Sequence, residues 1–225
     1  MRTRINSYSG SGEMRTKARW IKRFGFPVVL LTSWWCLSAG ISFAEEDVAA
    51  ISARGDVAYN RGDVMDAIQW YRQAADLGDS HAQVRLGYIY DKAEENEQAV
   101  NWYRKAAEQG DAAGQHGLAA MYLNGEGVTR DVEQALALMK KAAEQDYLPS
   151  ILLLARTYEK GAEEVEVDLP LSLAYWRQAA GLGEPQAVLR MANAYRKGEL
   201  GLDVDETEAA KWQIRLDGAE STATN

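Results

Sequence analysis

One nine-residue pattern constrains the fold of this chain more than any other feature, because it returns at a nearly fixed period. A small residue, six variable residues and then Ala-Ala read AIQWYRQAA from Ala67, AVNWYRKAA from Ala99, ALALMKKAA from Ala135 and SLAYWRQAA from Ser172. A fifth copy, AAKWQIRLD from Ala209, lacks the closing pair. The starts lie 32, 36, 37 and 37 residues apart. Self-similarity at such a period marks an array of supersecondary units that bury their apolar faces only by stacking. In the third copy, Ala135, Leu138, Met139, Ala142 and Ala143 fall at helical spacing and make one apolar stripe. Upstream, Gly114, Leu118 and Tyr122 mark a preceding helix, with Gly125 and Gly127 between the two. Glycine ends helices and takes positive φ in turns without steric cost. The unit is therefore helix, turn, helix.

Two further signals repeat in register. An aromatic closes each first helix: Tyr59, Tyr90, Tyr122, Tyr158 and Tyr195. An acid stands four residues before each anchor: Asp63, Glu95, Asp131, Asp168 and Asp205. A carboxylate there caps the second helix and complements its dipole. Asp131 with Gln134, and Asp205 with Glu208, read as capping boxes. Pro149, Pro170 and Pro185 fall near helix starts, where a missing N–H does little harm. These signals predict ten helices in five antiparallel pairs, near 48–79, 80–111, 112–147, 148–183 and 184–218. The repeat domain spans 45–218, and 219–225 reads as a disordered polar tail.

Ahead of the repeats lies a basic stretch, then an apolar run from Phe26 to Phe43, then Ser42-Phe43-Ala44 and three acids. Residues 1–44 thus read as a secretory signal peptide cut after Ala44, which places the body in the periplasm or outside the cell. Left uncleaved, the apolar run is long enough to anchor the chain in a bilayer. Met14 heads its own basic run and is an alternative start. Cys36, the only cysteine, lies inside the apolar run, so the exported body holds no disulfide. The whole chain carries net charge −8, but the leader holds seven Lys/Arg and one Glu, so the body has 18 basic against 32 acidic residues, a net of −14. That balance argues against nucleic acid as a partner, and against anionic lipid except through an uncleaved leader.

The residues Leu118-Ala119, Tyr122, Gly125, Gly127, Val128, Asp131, Ala135, Ala142 and Ala143 resemble the Sel-one-like repeat family, relatives of the tetratricopeptide repeat. Leu86-Gly87 with Tyr90, and Lys105 to Asp111, match parts of the same pattern. The first unit, with Tyr59-Asn60-Arg61-Gly62-Asp63, is closer to a tetratricopeptide repeat. The resemblance covers about Val48 to Asp217. It implies an all-α fold, a right-handed α/α superhelix (solenoid) of about five helix-turn-helix repeats. It also implies a scaffold that binds another protein or peptide in a concave groove, often in envelope processes.

No motif in the sequence supports catalysis, a cofactor or a metal site. The serines lack an elbow or a Ser-x-x-Lys setting. His81 and His116 lack ligand spacing and read as solvated or groove-lining. Glu94-Glu95-Asn96-Glu97 and the run from Glu163 lack a calcium loop and read as solvated turns. Trp70, Trp102, Trp176 and Trp212 recur near one helical position and read as inter-repeat packing, with Trp102→Ala expected to cost about 3–5 kcal/mol. Because Trp176 is displaced by one residue with Tyr175 in the usual place, one of that pair is expected to be part-exposed. If exposed, such aromatics would instead serve a polysaccharide or peptidoglycan surface. Counting from each first-helix tyrosine, the groove candidates are Asn60, Arg61, Tyr88, Lys92, His116, Asn124, Arg156, Lys160, Asn193, Arg196 and Lys197. Their basic members suit an acidic or C-terminal carboxylate segment of a partner. The competing reading is that Arg61, Lys92, Lys160 and Lys197 only compensate helix C-termini.

Overall fold

The computed structural model describes residues 47–223, with side-chain surroundings through Arg215. The leader, its cleavage point and the alternative start all lie outside the described residues. Among the described residues ten helices form, and extended pairing is limited to one isolated bridge, Ala162 to Val165. They are α1 (Val48–Arg61), α2 (Val64–Asp76), α3 (Ser80–Lys92), α4 (Asn96–Glu108), α5 (Ala112–Asn124), α6 (Val132–Ala143), α7 (Leu148–Lys160), α8 (Leu169–Gly181), α9 (Pro185–Lys197) and α10 (Glu206–Ala223). Odd helices are the first, and even helices the second, of five stacked pairs. Each second helix packs on its own partner and on the next first helix, and α3 also touches α1 and α5. The result is an all-α superhelix.

Helix α10 continues past Gly218, where the sequence suggests an end, to Ala223. One glycine costs a helix only about 1 kcal/mol, and the residues beyond it include alanine and glutamate but no proline.

Two backbone hydrogen bonds recur at every joint. Within each pair, the N–H of the acid before the second helix donates back into the first helix. Asp63 bonds the Ala58 carbonyl at 3.0 Å, Glu95 that of Tyr90 at 2.9 Å, Asp131 that of Tyr122 at 3.0 Å, and Asp168 and Asp205 those of Tyr158 and Tyr195 at 2.8 Å. Between pairs, Asp79, Asp111, Tyr147 and Glu184 donate to Ala74, Ala106, Ala142 and Ala179, each at 3.1 Å. Those acceptors are the first alanine of each Ala-Ala. The side chains of Asp131, Asp168 and Asp205 accept from the N–H groups of Gln134, Leu171 and Glu208, at 2.9, 2.9 and 3.0 Å. Asp63 and Glu95 make no such cap bond. Their units have the short turn, and their backbone stands at ψ 64° and 61° rather than fully extended.

Packing is set by a small residue facing a large one. In the first four units the residue four after the anchor is buried: Tyr71, Tyr103, Met139 and Trp176. Opposite lies a small residue of the first helix: Gly55, Gly87, Ala119 and Ala155. A Cβ on Gly55 would stand 2.5 Å from the Tyr71 ring, and one on Gly87 2.6 Å from the Tyr103 ring. Gly117, on the next first helix, is equally tight against Tyr103, at 2.5 Å. Tyr103 is thus clamped between two helices that lack a side chain where it passes.

This register corrects the tryptophan reading. Trp176 occupies the buried position and Tyr175 is part-exposed beside it, whereas Trp70, Trp102 and Trp212 sit one residue earlier in the register and are only half-buried. Each of the three carries a cation over its ring: Arg54 at 5.0 Å, Lys105 at 3.8 Å and Arg215 at 4.5 Å. The core aromatic of the second unit is Tyr103, not Trp102. We expect Tyr103→Ala to lose roughly 3–5 kcal/mol in chemical denaturation. Trp102→Ala should lose clearly less; equal losses would refute the assignment.

Candidate partner-binding cleft

First-helix residues divide by register. Counting from the small residue (Gly55, Gly87, Ala119, Ala155, Ala192), the positions five and one before it meet the preceding second helix. In units two to five these are Ala82, Gly114, Ser150 and Ala187, then Leu86, Leu118, Leu154 and Met191, all buried. The positions one and five after it lie on another face, one turn apart. They are Tyr88 and Lys92 in α3, Ala120 and Asn124 in α5, Arg156 and Lys160 in α7, and Asn193 and Lys197 in α9. Lys92, Asn124, Arg156, Lys160 and Lys197 are exposed, and Tyr88 is 40% exposed.

Between α3 and α5 this face opens into a cleft of about 740 Å³. It is lined by Tyr88, Asp91 and Lys92 of α3, by His116, Gly117 and Asn124 of α5, by Glu94, Asn96 and Glu126 nearby, and by Tyr103 of α4. A second hollow of about 340 Å³ shares Tyr88, Tyr103, His116 and Gly117 with it and continues to Arg85 and Tyr147. Of the eleven expected groove residues, the structure brings four into this cleft: Tyr88, Lys92, His116 and Asn124. Arg61 lines a different hollow, with Arg54, Val57 and Trp70 at the outer end of the first pair. Asn60 is exposed. Arg156 donates to Gln186 at 3.2 Å, and Arg196 to Asn193 at 3.2 Å. Arg61, Lys92, Lys160, Arg196 and Lys197 all fall in the last turns of their helices, where the dipole favours a cation.

The cleft is not the basic groove that those residues suggest. Its carboxylates are Asp91, Glu94 and Glu126, set against the Lys92 ammonium and His116, whose pKa burial lowers. Lys92 already lies 3.6 Å from Asp91 and 5.5 Å from the centre of the Tyr88 ring. Burial, then the Asp91 charge and the neighbouring Tyr88 and Tyr147, push the Tyr103 phenol far above its usual value, so it stays protonated. His116 bonds the Ser150 hydroxyl through Nδ1 at 2.9 Å, and its ring tilts against Tyr147 at 5.4 Å.

Sequence reasoning missed Asp91, Tyr103, Gly117 and Tyr147. The available signal was Gly117, a mid-helix glycine beside Gly114 in α5. The acidic turn at Glu163-Glu164 pairs with the Arg130 guanidinium of the preceding unit. Among the described residues no group of three or more His, Cys, Asp or Glu is placed to hold a metal ion. Among them, too, no helix is long and apolar enough to cross a membrane.

Stacked antiparallel helix pairs with a cleft open between first helices define an α-solenoid repeat protein. The model of the Sel1 (Sel-one-like) repeat matches residues 51–79, 80–111, 112–147, 149–184 and 185–212. The chain belongs to the Sel1 repeat family. It is similar to the crystal structure of a Sel1 repeat protein from Oxalobacter formigenes, with 30% identity and TM-score 0.61, over 68% of this chain and 45% of that one. It is also similar to c5321, a protective antigen of uropathogenic Escherichia coli strains with the same fold, at 29% identity and TM-score 0.61, over 83% of this chain and 40% of that one. The chain therefore spans less than half of either protein. A Sel1 repeat protein from Klebsiella pneumoniae subsp. pneumoniae, at 24% identity and TM-score 0.53, shares the fold. Comparison with curated proteins finds no match. Sel1 repeat proteins generally act as scaffolds for protein–protein interaction and are typically non-catalytic.

Burial lowers the pKa of His116 below the ordinary imidazole value. The unfolded chain therefore takes up a proton near pH 6.5 while the folded chain resists it. Above about pH 6.5 this group leaves stability unchanged. Below that value it costs stability, until the folded imidazole also titrates. We expect an NMR titration of the His116 ring to give a midpoint under 6.5. In parallel denaturations, the wild type should lose more stability than His116→Asn between pH 7 and pH 5.

Proposed function

We propose that this protein is an exported scaffold that binds an extended segment of another protein along its first-helix face, acting as an adaptor or regulator of an envelope process. The observation that carries the reading is the cleft between α3 and α5. It is open in the structure, with the exposed Tyr88, the Tyr103 phenol and the Asn124 amide lining it. Such a groove binds by burying a segment against fixed side chains and involves no covalent step. The secretory leader pattern at residues 1–44 supports export. The exposed register positions in α7 and α9, Arg156, Lys160 and Lys197, extend the same face toward the C-terminal end.

The polysaccharide reading is weaker, because a platform needs free ring faces. Three of the four repeat indoles have a cation over theirs, and Trp176 is buried.

The test is an affinity pull-down with the tagged protein from detergent-solubilised envelope, read by mass spectrometry. One stoichiometric protein is expected, and Tyr88→Ala with Asn124→Ala should cut its recovery by about tenfold, or ~1.4 kcal/mol. Unchanged recovery with Arg156→Glu and Lys160→Glu would confine the segment to the second and third units. Glycan in place of protein would overturn the proposal.

A further inference from the structure

The seams between successive pairs differ in one respect that identifies an occupant for the cleft. In the first seam, the Tyr71 hydroxyl donates to Asp56 at 2.7 Å, and Arg85 of the next first helix donates to the same carboxylate at 3.1 Å. His81 joins it at 3.1 Å. In the fourth seam, the Trp176 indole N–H donates to Glu159 at 2.8 Å, and Arg190 of the next first helix binds that carboxylate at 2.9 Å. Arg85 and Arg190 occupy the same register, two residues before the small residue. Both seams thus close with three parts: a buried aromatic bearing a polar hydrogen, a carboxylate of the first helix, and an arginine of the next first helix.

The third seam has none of the three, since Met139, Leu123 and Leu153 stand at the places of Trp176, Glu159 and Arg190. The second seam has two. Tyr103 takes the aromatic place, and Asp91 takes the register of Glu159. The arginine place is Gly117. The space a guanidinium fills elsewhere is the cleft, and Asp91, Tyr103 and Gly117 all line it. Tyr103 is 7% exposed, and its hydroxyl, which has no hydrogen-bond partner among the described residues, is not sealed in the core but opens on the cleft.

We infer, resting on the peptide-groove reading above, that the cleft between α3 and α5 takes an arginine side chain of the partner segment, which completes the second seam as Arg85 and Arg190 complete the first and fourth. The guanidinium bonds the Asp91 carboxylate and donates to the Tyr103 phenol, with the Tyr88 ring beside it. Planar, multidentate donation of this kind is what a guanidinium offers and an ammonium does not. The chain makes guanidinium–phenol bonds elsewhere, from Arg72 to Tyr90 at 2.7 Å and from Arg177 to Tyr195 at 2.9 Å. Glu94 and Glu126 on the rim add attraction for a cation. Lys92, 65% exposed and held by its neighbour Asp91 and the face of the Tyr88 ring, swings out as the guanidinium enters.

The test is a titration of the purified protein with two blocked peptides, Gly-Ser-Arg-Ser-Gly and its citrulline counterpart, followed by NMR of labelled tyrosine and histidine rings. Citrulline keeps the shape and removes the charge. We expect saturable shifts at Tyr88, Tyr103 and His116 with the arginine peptide, and binding at least about tenfold weaker with citrulline. Tyr103→Phe, which keeps the ring in its clamp, should weaken arginine binding by about tenfold, the loss of one hydrogen bond to a charged group. Equal response to both peptides, shifts confined to other acidic surfaces, or no saturable response overturns the inference. Its failure is separable from that of the scaffold reading. A protein recovered through Tyr88 and Asn124, yet not displaced by the arginine peptide, leaves a peptide groove without an arginine site.

Discussion

Helices in this solenoid approach so closely that a small residue is required at every crossing, and the other features of the structure follow from that. The anchors Ala67, Ala99, Ala135, Ser172 and Ala209 are all fully buried, as are the first alanines of each closing pair, Ala74, Ala106, Ala142 and Ala179. Gly114 shows how little room remains, since a Cβ there would lie 2.5 Å from that of Ala106. Close approach puts backbone against backbone. The N–H opening each new pair can then reach the carbonyl of the preceding first alanine. Each such bond satisfies a carbonyl that a helix end would otherwise leave open. A larger side chain at these positions would part the helices, and the joint hydrogen bonds would be lost with the packing.

Because crossings consume the small positions, variation is confined to the residues between them, and there the seams diverge. Where a buried aromatic carries a polar hydrogen, that hydrogen needs an acceptor. Asp56 and Glu159 supply one in two seams, and an arginine from the next helix then balances the carboxylate. The third seam avoids the requirement by using Met139. Buried glutamines show the same logic on another face. Gln83 and Gln115 stand where other units have Ile51, Ile151 and Val188, and Gln109 and Gln145 bond them at 2.7 and 3.1 Å. Among the described residues one buried side-chain polar atom, the Ser52 hydroxyl oxygen, has no partner, and the Tyr103 hydroxyl, also without a protein partner, opens on the cleft instead.

How much was legible in the sequence follows from the same division. Positions that must be small repeat in every unit, so the ten helices and the turn acids could be read from spacing, while the resemblance to the family rested on particular motif residues from Leu118 to Ala143. Which aromatic fills each crossing could not be read that way, because Trp102 and Tyr103 differ by one residue. A single step of about 100° along a helix separates the buried face from the half-buried one. Trp176 held the clue, since its one-residue displacement sets the true register of the core. The cleft was half legible. Tyr88, Lys92, His116 and Asn124 follow from counting along the first helices, but the sign of its charge does not. The cations at Arg61, Lys160 and Lys197 belong to helix ends, while the carboxylates that face the cleft are Asp91, Glu94 and Glu126, two of them from turns.

In a stacked array each unit contacts only its neighbours, so a seam can lose a side-chain link without unfolding the rest. The second seam keeps its clamp on Tyr103, with Gly87 on one side and Gly117 on the other, and keeps its backbone joint from Asp111 to Ala106. What it lacks is the arginine that would lie over that clamp. The glycine in its place both admits the tyrosine ring and leaves the ring's polar edge open. An arginine at position 117 would have to carry a Cβ into the Tyr103 ring, so in this seam the tight clamp and a self-supplied guanidinium exclude each other. The opening is therefore a consequence of how the core is packed there. A groove produced this way is as rigid as the core that frames it, and a partner entering it meets polar groups already held in position.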